Sequence, residues 1–337
     1  MKNIIISGLD EKSGKTVAAY AIAKLANKKV GYMKPIGDNV IYKDKKLMDY
    51  DTILFTEIFG VSENPEELCL GMHHSKILHF YKEPAEEFMR RYKKLAENKE
   101  LFIIEGGEFL WKGSSISLDA HSISKKIDAD VIFVISGDYH EILDEIYYIS
   151  KLKEDLPIKG VILNKVNEED VDKIKESIEK FRIKYLGFIT PVRKLRAMKV
   201  RYIAEKLFAK VVAGENGLNK YVENVFIAAL SAPEIRRHPD FKKENKLIIT
   251  GGDRSDVITA CIEDGTSGII LTNNIIPSAN ILAKANEKAI PLLSVRPDTY
   301  SVAKLVENIQ PVILPDEKEK LEEIEKAANI DIEAILE

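Results

Sequence analysis

Short runs of apolar residues, rich in Ile and Val, alternate with amphipathic stretches from the first residues onward. The runs at Asn3–Ser7, Val30–Met33, Leu101–Glu105, Val131–Ser136, Gly160–Asn164 and Tyr185–Ile189 predict strands. They are nearly continuous in apolar character, as in a sheet covered on both faces. Between them, Gly14–Asn27, Pro84–Asn98, His140–Lys151, Asp170–Phe181 and Arg196–Phe208 repeat apolar residues at helical spacing. This alternation predicts a parallel α/β sheet with right-handed crossovers and helices on both faces. The stretch from Gly37 to Tyr81 is less regular. Asp38 and Asp44 precede a short helix near Tyr50–Phe59, and an insertion at the ligand edge of the sheet is where substrate contacts are expected.

The pattern breaks at "AGENGLN", Ala213–Asn219, which reads as a turn or linker. It then restarts: strand Val225–Leu230, strand Leu247–Thr250, helix Asp253–Glu263, strand Gly268–Thr272, helix Ser278–Asn286, strand Pro291–Val295 and helix Thr299–Asn308. Two domains are expected, 1–212 and a smaller α/β unit over 213–337. The tail Pro315–Ala334 has helical composition and is expected to pack on the second unit or on a partner. Asp253, after Gly251-Gly252, reads as a helix cap.

Composition changes this picture little. The chain has 337 residues, 45% hydrophobic and 31% charged, as in a globular protein with a sizeable core. The 50 basic and 54 acidic residues give a net charge of −4, which offers no basic field for nucleic acid or for an anionic membrane. No apolar run approaches the roughly 20 residues needed to span a bilayer. The two cysteines, Cys69 and Cys261, are far apart in sequence, so neither a disulfide framework nor a CxxC knuckle is expected. With no signal-peptide pattern at the start, a reducing cytoplasmic setting is the expectation.

The chemistry concentrates in "GLDEKSGKT", Gly8–Thr16. It follows a strand and opens a helix, which is the setting of a phosphate-binding P-loop. Its glycines enclose five residues instead of the usual four. In this setting Gly8, Asp10, Glu11, Lys12, Ser13 and Gly14 form the loop around the phosphates. Backbone N–H groups and the helix N-terminus would face the anion. Lys15 would add a cation at the β/γ-phosphates and the Thr16 hydroxyl would ligate Mg²⁺. A carboxylate at the end of the third strand, Glu105, is a natural Mg²⁺ ligand opposite Thr16.

The longer loop resembles that of the dethiobiotin synthetase family, G-T-D-x-x-x-G-K-T, with Asp10 at the family's Asp. Related two-lysine ATPases carry a lysine where this chain has Asp10. Lys34-Pro35 in "GYMKPIG" resembles the family's K-P-V segment, whose lysine helps hold substrate and the forming carbamate. Glu105-Gly106-Gly107 is similar to the family's E-G-A-G-G. Asp49 or Asp51, in "MDYD", resembles the second acidic metal ligand, and Asp51 is the choice made here. Asn164, in "GVILNKV", stands where the family's Asn reads the adenine edge. The following Lys165-Val166 lacks the Asp of a guanine-reading N-K-x-D, which favours adenine. Two departures stand out: Asp38 replaces the serine expected after the K-P lysine, and Glu108-Phe109 replaces small residues. Ala213–Pro311 resembles the DRTGG domain, with Asp253-Arg254 as its Asp-Arg pair and Pro297–Tyr300 as its D-T segment. A synthetase-like domain followed by a DRTGG domain is the arrangement at the N-terminus of long bacterial phosphate acetyltransferases. This chain resembles that region without the transacetylase domain.

The resemblance implies an ATP- and Mg²⁺-binding regulatory protein, a homodimer, with a separate metabolic enzyme as its partner. The alternative it implies is an ATP-dependent ligase acting on a carboxylate or amine, with Lys15 and Lys34 as its catalytic residues and the 38–81 insertion as its substrate pocket.

Overall fold

A computed structural model describes residues 1–43, 46–62 and 64–337. Asp44 lies outside the described residues. The chain divides into two compact units, Met1–Val192 together with Ile313–Glu337, and Arg193–Val312.

The first unit is built on six parallel strands: β1 (Lys2–Ser7), β2 (Val30–Met33), β3 (Leu101–Glu105), β4 (Asp130–Ile135), β5 (Ile158–Asn164) and β6 (Tyr185–Ile189). Their order across the sheet is β6-β5-β4-β1-β3-β2, and a seventh strand from the tail, Ala328–Ile330, pairs antiparallel beside β6. Ile4, Ile5 and Ile6, Phe102 to Ile104, and Val131 to Ile135 are completely buried. That burial explains why these strands read as continuous apolar runs and not as alternating ones. Ile6 of β1 lies opposite Glu105 of β3. A polar side chain thus appears at the carboxyl edge only where the apolar run stops.

The helix α1 (Lys15–Leu25) follows β1 directly. The 37–81 insertion holds a hairpin, Val40–Lys43 against Lys46–Asp49, and the helix α2 (Tyr50–Phe59). Asp49 caps α2 by accepting from Asp51 N. The α2 helix falls where periodicity places it, whereas the hairpin is a feature that the irregular pattern does not show.

The second unit carries a five-stranded sheet of β7 (Lys210–Ala213), β8 (Asn224–Ile227), β9 (Lys246–Gly251), β10 (Gly268–Thr272) and β11 (Leu292–Ser294), in the order β7-β11-β10-β9-β8. Only the β7–β11 pair is antiparallel. Alternate residues of β9 and β10 enter two cores, Ile248, Ile269 and Leu271 on one face and Leu247, Ile249 and Ile270 on the other.

Two expectations about organisation need correction. The first compact unit ends at Val192 and not at residue 212, because the segment after it joins the second sheet: Lys210–Ala213, expected to lead into a linker, is the strand β7. The tail belongs to the first unit. Its strand pairs with β6 at Ala328↔Ile189 and Ile330↔Gly187, and its helix Lys318–Ala327 is tied to α1 by Tyr20 Oη donating to Glu325 Oε1 at 2.8 Å. A Cβ on Gly187, whose φ is +131°, would sit 2.2 Å from the Asn329 carbonyl oxygen, so the close approach of this strand needs a glycine. The helix expected over Arg196–Phe208 is also shorter, Val200–Lys206, because Met198–Lys199 pairs as a short strand with Tyr221–Val222.

Candidate functional site

The loop between β1 and α1 is shaped by its glycines. Gly14 stands at the N-cap of α1 with φ +95° and ψ +35°, a left-handed conformation. A Cβ there would lie 1.9 Å from Asn164 Nδ2, so Gly14 is required both by its dihedral and by contact. At Gly8 a Cβ would lie 2.4 Å from Ser13 Oγ, so the loop closes on itself. The N-terminus of α1 has no side-chain cap hydrogen bond and no acidic residue in its first turn. Its leading N–H groups therefore remain free of the usual internal acceptor and keep the positive end of the helix dipole. Ser13 Oγ is buried without a hydrogen-bond partner, a cost that a ligand oxygen would remove.

The buried Lys15 ammonium folds over the loop and donates to the carbonyls of Asp10 at 3.2 Å, Glu11 at 3.3 Å and Glu108 at 3.3 Å. Burial, only partly opposed by Glu105 and Asp38, lowers its pKa. Asp10, Glu11 and Lys12 are exposed around the rim. Thr16 Oγ1 donates to Glu105 Oε1 at 2.8 Å.

Around Glu105 the structure gathers a cage of charge. Lys34, 1% exposed at the end of β2, makes ion pairs with Asp38 and with Asp51 Oδ2, the latter at 2.5 Å. Glu105 Oε1 lies 3.5 Å and Asp49 Oδ2 3.7 Å from the same ammonium. Burial pulls the Lys34 pKa down, but Asp49, Asp51, Glu105 and Asp38 together carry it well above the usual lysine range. Burial pushes Glu105 up to about 7 and Asp49 up to about 6, with Lys34 opposing both shifts. Tyr32, which donates from its hydroxyl to Glu105 Oε2 at 2.9 Å, is raised well above its ordinary value by burial and then by Glu105.

Asp49 and Asp51 differ in what their carboxylates hold. Asp49 Oδ2 accepts from the N–H groups of Asp38 and Asn39, each at 3.0 Å, and its Oδ1 accepts from Asp51 N at 2.8 Å. Both oxygens of Asp49 thus hold the backbone of the insertion. Among the described residues Asp51 Oδ2 receives only side-chain donors, Lys34 and, at 3.4 Å, Asn39 Nδ2. Asp38, Asp49 and Asp51 present carboxylate oxygens within 4.8 Å of one another.

Asn164 stands at a strand end, as its apolar run predicts. It is 2% exposed at the end of β5, and its Nδ2 donates to Ser13 O at 2.7 Å. It holds the loop from beneath, with one amide donor engaged by the Ser13 carbonyl. Lys165 adds a second strut, its Nζ donating to Lys12 O at 2.7 Å. The sequence singled out Lys15, Thr16, Lys34, Asp51 and Glu105, and the fold brings all five to one edge. It missed Tyr32 and the backbone-holding role of Asp49. The sign for Asp49 was present in its position just before a helix, where an Asp is a common cap.

In the second unit, Asp253 does not cap the helix Ser255–Glu263. Arg254 occupies the cap position and makes no side-chain cap hydrogen bond. Its guanidinium donates instead to the carbonyls of Ala228 at 2.7 Å and Leu230 at 2.5 Å.

Comparison with known proteins also divides the chain in two. Residues 2–199 match a family model described as an AAA domain, and residues 202–309 match one described as a DRTGG domain. Curated relatives include a phosphate acetyltransferase of Synechocystis sp., 24% identical over 95% of this chain and 49% of its own length. Another, from Nitratidesulfovibrio vulgaris, is 23% identical over 95% of this chain and 49% of its own length. The chain therefore spans about half the length of these relatives. Among solved structures, the CBS and DRTGG domains of the regulatory region of Clostridium perfringens pyrophosphatase, complexed with the activator diadenosine tetraphosphate, share 18% identity. That alignment covers 56% of this chain and 74% of the other, with a TM-score of 0.30. Among the described residues no helix is long and apolar enough to cross a membrane.

Proposed function

This chain belongs to the AAA-domain family through residues 2–199, with a DRTGG domain following, and on that premise we propose that it is a regulatory protein that binds ATP with Mg²⁺. The observation that carries this reading is the loop from Gly8 to Thr16. A left-handed Gly14 opens an uncapped helix beside a buried ammonium, a partnerless Ser13 hydroxyl and the Thr16–Glu105 bond.

In this reading Lys15 leaves the loop carbonyls for the β/γ-phosphates, and the first N–H groups of α1 receive the same anion. Thr16, Glu105 and Asp51 would hold Mg²⁺. The carboxylates outnumber the cations in the cage, and Asp51 is not spent on backbone, so the donor set suits a hard divalent ion. When bound, that ion would neutralise phosphate charge. Asn164 keeps the loop in shape. The DRTGG domain would sense a metabolite or mediate pairing of two copies of the chain. The relatives named phosphate acetyltransferase make a separate metabolic enzyme of that kind a reasonable partner class.

The ligase alternative needs Lys34 free to hold an anionic substrate. Asp38 and Asp51 already occupy its ammonium, and this counts against the alternative.

The test is calorimetric titration with ATP and Mg²⁺ of the wild type and of Lys15→Ala, with phosphate release followed in parallel. Binding that Lys15→Ala abolishes, with negligible turnover, is the expected result. Absence of binding to the wild type would overturn the nucleotide reading. Turnover that rises with an added amine or carboxylate would establish the ligase instead.

A further inference from the structure

Four carboxylates, from Asp38, Asp49, Asp51 and Glu105, surround the single ammonium of Lys34. Three of them are almost fully buried, with side-chain exposures of 0%, 4% and 2% for Asp49, Asp51 and Glu105, while Asp38 is 20% exposed. Such an assembly is strongly destabilised without a cation, because unpaired buried charges are costly. In this structure Lys34 is that cation, and it contacts two of the groups, Asp51 and Glu105, that the proposed function assigns to Mg²⁺. The buried and partnerless Ser13 hydroxyl independently marks the adjoining loop as shaped for a ligand.

We propose that Lys34 is a tethered counter-cation for this cage: its ammonium holds the carboxylates together in the nucleotide-free protein and is displaced when a divalent ion enters. The inference rests on the Mg²⁺ part of the proposed function and goes beyond it. It makes Lys34 a positioning residue that sets the affinity for the metal, in place of a binder of anionic substrate. Asp38 then has a purpose: it supplies the partner to which the ammonium can retreat, because it is the most exposed carboxylate of the four and lies on the same segment as Lys34. The two cations compete for the same carboxylates, so each weakens the other's binding by the same factor.

The experiment titrates the full chain with Mn²⁺ in the absence of nucleotide and measures free metal by electron paramagnetic resonance. Lys34→Met is expected to bind Mn²⁺ more tightly than the wild type by about ten-fold or more, since a competing unit charge at such short range is removed. Mn²⁺ is also expected to raise the melting temperature of Lys34→Met more than that of the wild type. A folded Lys34→Met that binds Mn²⁺ no more tightly than the wild type overturns the proposal.

If the variant does not fold, the wild type decides. Acetic anhydride labelling with peptide mass spectrometry should show faster acetylation of Lys34 with saturating Mn²⁺ than without, and an unchanged rate overturns the proposal. Failure of the nucleotide reading is separately visible. The wild type would then bind no ATP, whereas the Mn²⁺ results would stand or fall by themselves.

Discussion

Both units set parallel strands side by side and gather polar residues at their carboxyl ends, but those ends carry different chemistry. In the first unit the strand ends hold Lys34, Glu105 and Asn164, with Asp51 supplied by α2, and the charges are buried. In the second unit they hold Thr250, Thr272 and Ser294, buried but neutral. Thr272 Oγ1 meets Thr299 Oγ1 at 3.1 Å and the Thr250 carbonyl at 3.4 Å, so this edge satisfies itself with hydroxyls. The difference shows that the α/β framework fixes only where polar groups collect. Whether the edge is poised for a charged ligand depends on how many of those groups are ionised and on what neutralises them.

The comparison is broken most sharply at Lys34. Replacing it with Met leaves four carboxylates without their contacting ammonium, and the first unit should lose about 3–5 kcal/mol. Urea unfolding followed at Trp111, the single tryptophan of the chain, reports on that unit. A loss under about 1 kcal/mol would mean that the cage is not electrostatically dependent on Lys34.

Gly14→Ala comes next. The left-handed φ of +95° and the 1.9 Å approach to Asn164 should cost about 2–3 kcal/mol, together with loss of ATP binding in the same titration. Asn164→Ala should be milder, about 1–2 kcal/mol, since one buried hydrogen bond to Ser13 O is lost. ATP affinity should fall with it, because the loop loses its support from beneath. Unchanged affinity would separate Asn164 from the loop's function.

A pH experiment sharpens the contrast further. Glu145, on the helix Tyr139–Lys151, has its pKa raised to about 8 by burial and then by Asp10 and Glu141. A carboxyl raised in the folded state binds its proton more tightly there than in the unfolded chain. Its contribution to stability is full below the ordinary glutamate range and declines as pH rises toward about 8. The wild type should therefore lose melting temperature between pH 5 and pH 8, and Glu145→Gln should flatten that slope. An equal slope in both proteins would remove Glu145 as its source. The smallest effect is expected in the neutral edge of the second unit. Thr272→Val should cost about 1 kcal/mol, read by hydrogen exchange in β10, since only hydroxyl contacts of 3.1 and 3.4 Å are lost.

Much of the site was legible before folding was considered. Lys15 and Thr16 are fixed by the loop's own pattern, and Glu105 and Lys34 end apolar runs whose direction places them at one edge. Asp49 and Asp51 were harder to tell apart, since they are two residues apart in the same local context. Only the path of the insertion, with three backbone N–H groups converging on Asp49, leaves Asp51 facing the ammonium. The family resemblance assigns Asn164 to the base, while the fold also gives it a structural partner that local sequence does not announce. Its partner, the Ser13 carbonyl, lies far away in sequence and close only in the folded chain.

The sequence by itself determined the main strands and helices, the glycine-and-lysine pattern of the loop and the presence of two α/β units, because these follow from periodicity and local backbone preference; the insertion hairpin, the strand Lys210–Ala213 and the boundary at Val192 did not show in it. Tertiary structure alone decided that residues 313–337 return to the first unit, and that Lys34 is enclosed by carboxylates from three separate segments. A tail strand is too short to announce which sheet edge it will join, and Gly187, which admits it to β6, reads locally as an unremarkable residue in a strand. The charge of a side chain is written in its formula, but its counter-ion is selected by proximity after the chain has folded, and that selection sets what the site is ready to bind.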